Sequence, residues 1–253
     1  MISYVAMERI AEREVASKAK SRKGRESRPF RAYARRWTDK DLLARLHAVG
    51  IDLDRPTLRG LCERTLSAEE ITTSLLHERT FTGTRQGWDR DWVWICVATL
   101  WQRWFPEIPS FERLDDRMQD GYALVASGKT AAACRTWLEA SDDVLHILDK
   151  AHITSIGEFD DRFRGTQSLF NWHQDLESEL WNAGLQDRYF HRARIAVGEE
   201  FLNRFGSDDD LVTENWRRAV AESYYELGET SQADALYREW LTADPQWGWG
   251  WIG

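Results

Sequence analysis

Residues 221–251 read AESYYELGETSQADALYREWLTADPQWGWGW, and their spacing specifies a helical hairpin. Tyr224, Ala233, Tyr237 and Pro245 follow one another at intervals of nine, four and eight residues, with Trp251 six residues beyond the proline. In that pattern Tyr224 closes a first helix against its partner and Gly228 makes the turn. Ala233 is small because two helix backbones approach closely there. Asp244-Pro245 stops the second helix and opens the next unit.

Upstream, caps and apolar stripes predict more helices. Thr38 and Asp41 form a capping-box start for a helix striped by Leu42, Leu43 and Leu46, and Gly50 sits where it should end. Pro56 suits the first turn of a second helix carrying Leu58, Leu61 and Cys62. Ser67 and Glu70 open a third, with Ile71, Leu75 and Leu76. After a polar loop over 79–88, Asp91 to Phe105 is apolar except at Asp91, Thr99, Gln102 and Arg103. That helix should be buried on most sides, with Trp92, Trp94, Trp101 and Trp104 as core. Pro106 and Pro109 end it.

Ser110 to Ala126 presents Phe111, Leu114, Met118 and Tyr122 on one face. Gly121, Leu124, Gly128, Ala133, Trp137 and Ala140 then repeat the small and large positions of the C-terminal hairpin, 100 residues before it. Leu145 stands where the proline should be, so the second helix is expected to run on to Lys150, about 20 residues and roughly 30 Å. Ser155 and Glu158 start a short helix bearing Ile156, Phe159 and Phe163, which Gly165 ends. Two more follow, Ser168 to Ala183 (Leu169, Trp172, Leu176, Leu180) and Asp187 to Phe205 (Tyr189, Ile195, Phe201, Leu202), joined by a turn at Gly184; Gly206 to Asp210 is a polar break. No segment alternates with a period of two over a useful length, so the expected fold class is all-α. It is a superhelix of helical hairpins preceded by a small N-terminal helical bundle.

The net charge of −8 conceals an asymmetry: residues 1–36 carry eleven Lys or Arg against four Glu, or +7, leaving −15 for the rest. The expected organisation is a basic arm at 1–36, a helical region at 37–108 and hairpin repeats at 109–253, broken off inside the last repeat. The arm can meet nucleic acid, aided by Arg55, Arg59 and Arg64 in helix-turn-helix-like surroundings, or it can dock on its own acidic body. The charged N-terminus lacks the apolar core of a signal peptide and no apolar run approaches 18 residues, so a cytoplasmic protein without a membrane span is expected. Cys62, Cys96 and Cys134 are odd in number and far apart, which suits small buried hydrophobes rather than disulfides or a zinc site.

Motifs with chemical potential are few. Ala123 to Thr130, ALVASGKT, satisfies a loose phosphate-binding loop, but it continues an amphipathic helix where a working loop follows a strand, so Gly128 reads as a turn glycine. Asp143 with His146, and Asp149 with His152, are carboxylate–imidazole pairs three residues apart, read as surface polar pairs rather than metal ligands. His77-Glu78 lacks the second histidine of a metalloprotease helix. No catalytic residue, cofactor or metal is expected.

With Tyr224, Gly228, Ala233, Tyr237, Pro245 and Trp251 in place, the C-terminal third resembles the tetratricopeptide repeat family, built on a period of about 34 residues. DPQWGWGWIG, together with FRGTQSLFNW and ADALYREWL, further resembles bacterial repeat proteins of that family that carry a zinc motif of the SecA C-terminal type. The motif itself is absent here. The resemblance spans most of residues 38–253 and implies a scaffold that binds a peptide or protein partner in a groove lined by first helices. It places groove-facing positions on Asn215, Arg218, Glu222, Tyr225 and Glu226. Glu222 stands where carboxylate-clamp repeats favour asparagine, so a basic or aromatic peptide suits the groove better than a carboxylate tail. At the C-terminal edge, Trp247, Trp249 and Trp251 are expected to leave the face of Tyr237, Trp240 and Leu241 partly covered, for a fragment or for pairing into a homodimer.

Overall fold

A computed structural model describes residues 3–18, 31–77, 86–206 and 211–252. Among these every regular element is a helix. The fold is all-α. The arm between residues 19 and 30, most of the 79–88 loop, Glu78 and Ser207–Asp210 lie outside the described residues.

The helices form two compact units, the first running to Asp115 and including Phe163–Thr166, the second comprising Asp116–Arg162 and Gln167 onward. The first holds α1 (Tyr4–Lys18), α2 (Arg31–Ala34), α3 (Asp39–Ala48), α4 (Arg55–Arg64), α5 (Ala68–Leu76), α6 (Gln86–Trp104) and the start of α7 (Phe111–Ala126). The caps fall where the residue types demand. Thr38 and Asp41 close a reciprocal capping box on α3, Asp54 accepts from the Thr57 amide at the head of α4, and Ser67 from the Glu70 amide on α5.

Helix α6 is the axis of this unit. Trp94 and Trp101 are buried with Val93, Ile95, Cys96, Val97 and Leu100, as a helix apolar on nearly all sides must be. Their indole N–H groups are satisfied, Trp94 by Glu112 at 3.1 Å and Trp101 by the Ile108 carbonyl at 2.9 Å. Thr99, expected on the polar strip, is buried instead, its hydroxyl returned to the Ile95 carbonyl at 2.7 Å. That back-bond frees a threonine from needing solvent. Arg103 stays at the surface, donating to the carbonyls of Ala34, Arg35 and Trp37 and to Asp39.

Buried charged side chains are tied into the first unit. Glu112 accepts from the amides of Ala68 and Glu69, capping α5; burial pushes its carboxyl pKa up while the bonds from the Ala68 amide and the Trp94 indole oppose the shift. Arg31 is buried and bonds Glu8 through its side chain at 2.6 Å and its amide at 2.5 Å. It also lies 5.2 Å from the Trp94 ring. At this end of the basic arm Arg31 and Ala34 are thus packed into the first unit, while Tyr33, Arg35 and Arg36 stay exposed.

The second unit continues α7 and adds α8 (Thr130–Ala151), α9 (Ile156–Phe163, its last residue in the first unit), α10 (Leu169–Gly184), α11 (Arg188–Phe205), α12 (Leu211–Glu226), α13 (Thr230–Ala243) and a 3₁₀ turn at Gly248–Trp251. The two hairpin turns read from glycines are the same structure. Gly128 and Gly228 both have positive φ (73° and 79°), each glycine amide bonding three residues back and the next amide five back. This paired-bond motif closes a helix through a left-handed residue, which glycine adopts without a Cβ penalty. The long second helix expected after Gly128 is present as α8.

Two expectations shift. Gly184 is not the turn between α10 and α11; it lies inside α10, where a Cβ would stand 2.5 Å from the His191 ring. Leu185 and Gln186 make the connection, and Asp187 caps α11 by accepting from the Tyr189 amide. The buried residues of α11 are Phe190, His191, Arg194, Ile195, Gly198, Phe201 and Phe205, leaving Tyr189 exposed. Gly165 likewise does not end α9 by its own conformation; Arg164 takes the left-handed position with φ 47°.

Gly121 is required for packing. A Cβ there would meet the Trp137 indole nitrogen at 1.9 Å, while that nitrogen donates to the Met118 carbonyl at 3.0 Å. Gly121→Ala should therefore lower stability by about 1–3 kcal/mol, the usual range for overpacking. Gly157→Ala, where nothing lies within 4 Å, should be neutral or stabilise by a few tenths of a kcal/mol. Urea unfolding of the two variants checks the difference; equal midpoints would contradict the packing.

Candidate functional site

The five positions that the family resemblance assigns to a groove lie along one face of α12, spaced three, four, three and one residues apart. They are not equivalent. Asn215 donates weakly to Gln174 of α10 at 3.4 Å. Glu222 is drawn inward: it accepts from Arg194 of α11 at 3.2 Å and lies 3.6 Å from Arg218. Tyr225 is 63% exposed, and Glu226 beside it is exposed and makes no ion pair to a described residue.

Beneath this face sits a charge network not anticipated from the sequence. Arg194 is only 2% exposed. Its guanidinium is ion-paired with Glu177 of α10, shares Glu222, and donates to the Ala219 carbonyl at 3.0 Å and the Ser223 hydroxyl at 3.1 Å. One face lies 4.9 Å from the Trp181 ring. A guanidinium can serve several acceptors at once because its donors form a planar fork. The network fixes the register of α10, α11 and α12 and holds Glu222 from below.

The C-terminal edge meets the same face. Arg218 lies 5.4 Å from the Trp249 ring, a cation–π contact, so Arg218 is shared between the chain's own Trp249 and Glu222. The three tryptophans divide. Trp247 is 2% exposed, stacked on Tyr237 at 6.0 Å and edge-on to Trp240 at 6.1 Å. Trp249 and Trp251 are 50% and 68% exposed, with the Trp251 indole donating to the Pro245 carbonyl at 3.0 Å. Tyr237, Trp240 and Leu241 are half-buried. Trp247 covers part of the α13 face, and the outer two rings extend the α12 face with apolar surface.

The remaining motifs are absorbed into the fold. In ALVASGKT the Gly128 and Lys129 amides are spent on the Val125 and Leu124 carbonyls at 2.9 Å each, so they are not presented to a phosphate. Asp143 is buried rather than a surface residue, bonded to Arg117 at 2.6 Å, and Asp149 pairs with Arg204 at 2.6 Å. Both carboxylates of the two Asp–His pairs thus have arginine partners. No group of three or more His, Cys, Asp or Glu among the described residues could hold a metal. Cys62, Cys96 and Cys134 are buried and form no disulfide with one another, and burial pushes the Cys96 and Cys134 thiols up to about 12. Arg55 and Arg59 are exposed, the first donating to the Trp104 carbonyl and the second paired with Glu63 and Glu107. No helix among the described residues is long and apolar enough to cross a membrane. Neither a family model, nor a curated protein, nor a solved structure matches the chain.

Proposed function

We propose that this chain is a non-enzymatic binding module of the tetratricopeptide kind, taking a basic, aromatic-containing peptide segment of a protein partner on the outer face of α12. The observation that carries the reading is the pairing of Glu226, a carboxylate without an ion pair among the described residues, with the exposed Tyr225 beside it. Trp249 and Trp251 supply apolar contact area near the same face, and aromatic side chains are the usual anchors of such surfaces. The identical turns at Gly128 and Gly228 support the hairpin-repeat reading, since a repeat rebuilds one supersecondary unit. Buried cysteines that form no disulfide with one another suit a reducing compartment such as the cytoplasm.

Asn215, Arg218 and Glu222 act in this reading as the floor, and Tyr225 and Glu226 as the recognition pair. An array of short peptides probed with the parent should favour sequences combining Lys or Arg with Tyr, Phe or Trp. Glu226→Lys should weaken such peptides roughly tenfold, about 1.4 kcal/mol. Tyr225→Ala should remove the aromatic preference while keeping the charge preference. Neither residue is buried, so both variants should keep parental stability. An array without basic preference, or variants that bind like the parent, would overturn the proposal.

A further inference from the structure

A concave feature of the second unit lies between α8 and α11, with no α12 residue in its lining. It is a cleft of about 600 Å³, walled by Leu138, Leu145 and Leu148 from α8 and by Val197, Phe201 and Phe205 from α11, with His173 of α10 also lining it. Volumes of this order match small-molecule sites, which are apolar with a few placed polar groups. His173 is the polar group at depth. It is 5% exposed, its ring packs against Phe201 at 4.8 Å and Trp216 at 5.8 Å, and its buried Nδ1 has no hydrogen-bond partner. A buried polar atom without a partner is uncommon, and of the residues that line the cleft His173 is the one that carries such an atom.

The charges around the cleft argue against an anionic ligand. Arg204 is held by Glu200 at 2.5 Å and Asp149 at 2.6 Å, and Arg192 is paired with Glu229 at 2.6 Å. Asp142 and Glu200 also line the cleft, and they would repel an anion. Burial keeps the imidazole uncharged above about pH 3, so it supplies a neutral hydrogen-bonding nitrogen and no counter-ion. Phe201, Phe205 and Tyr189 give flat apolar surface suited to a ring.

The geometry points to a binding site for a small, neutral aromatic molecule bearing one hydroxyl or N–H group, held between α8 and α11 with that group on the His173 imidazole. The site is separate from the α12 face.

The test uses 2-naphthol and naphthalene as probes on the intact chain, followed by calorimetry and by tryptophan quenching at Trp172 and Trp216. The parent should bind 2-naphthol saturably, one per chain, and naphthalene about tenfold more weakly, the worth of one hydrogen bond. Val197→Trp, filling the cleft from its wall, should abolish both. His173→Phe should keep naphthalene binding and remove the advantage of the hydroxyl. Should that variant not fold, the naphthol-to-naphthalene ratio in the parent and the Val197→Trp result decide alone. No saturable 2-naphthol binding, or binding untouched by Val197→Trp, or a hydroxyl advantage that survives in folded His173→Phe, would overturn the site.

Discussion

Replacing Arg194 with methionine should destabilise the second unit by about 3–5 kcal/mol, the range seen when one partner of a buried ion pair is removed. The loss comes from what is left behind. Glu177 would remain buried opposite an apolar side chain, Glu222 would lose its inner partner, and the Ser223 hydroxyl would lose a donor. Methionine nearly matches the volume, so the cavity contribution is small and the uncompensated carboxylate dominates. Adding Glu177→Leu to Arg194→Met should recover most of the stability, because removing both charges removes the penalty. Chemical denaturation of the single and double variants measures this. A single variant within about 0.5 kcal/mol of the parent, the range for ordinary surface substitutions, would mean the network does not hold the helices.

Part of the acid sensitivity should trace to His173, with His191, whose pKa burial also lowers, adding to it. Burial depresses the His173 pKa from about 6.5 to about 3. Above about pH 6.5 the imidazole is neutral in folded and unfolded chain alike and adds no pH dependence. Below it, the unfolded chain takes up a proton that the folded chain refuses until about pH 3, so stability falls as pH drops through that window. The slope is up to about 1.4 kcal/mol per pH unit. Glu112 and Asp160 work in the opposite direction, since burial raises their folded pKa and they gain protons on the folded side. They are common to parent and variant and cancel in the difference. The stability of the parent minus that of His173→Phe, measured by denaturation between pH 7 and pH 4, should therefore decline with acid. A flat difference would show that the imidazole is not desolvated.

The fold was legible because its punctuation is local. Thr38 with Asp41, Ser67 with Glu70, and the glycines at 128 and 228 act within a few residues of themselves, so spacing alone reveals them. What remained hidden depends on partners distant in sequence. Gly184 was read as a turn because glycine often makes one; only the closeness of His191, on the next helix, shows that it is there for space. Arg194 carried a signal that could have been found. Phe190, Arg194, Gly198, Phe201 and Phe205 step along one helical stripe, as do Leu169, Trp172, Leu176 and Leu180 beside Glu177. A charge on each of two adjacent apolar stripes asks for an opposite charge. The separation of the α12 face into held and open residues could not be read, because Arg218, Glu222 and Trp249 acquire their roles from contacts across helices.

The most direct test of the α12 face as a peptide-binding surface is to titrate the isotope-labelled chain with the best basic–aromatic peptide of the array and follow backbone amide shifts by NMR. Shifts should concentrate on Asn215, Arg218, Glu222, Tyr225 and Glu226 and on the indole N–H signals of Trp249 and Trp251, leaving His173 and the α8–α11 cleft unmoved. Shifts confined to the α8–α11 cleft or to the first unit, with the α12 face silent at saturation, would contradict the assignment.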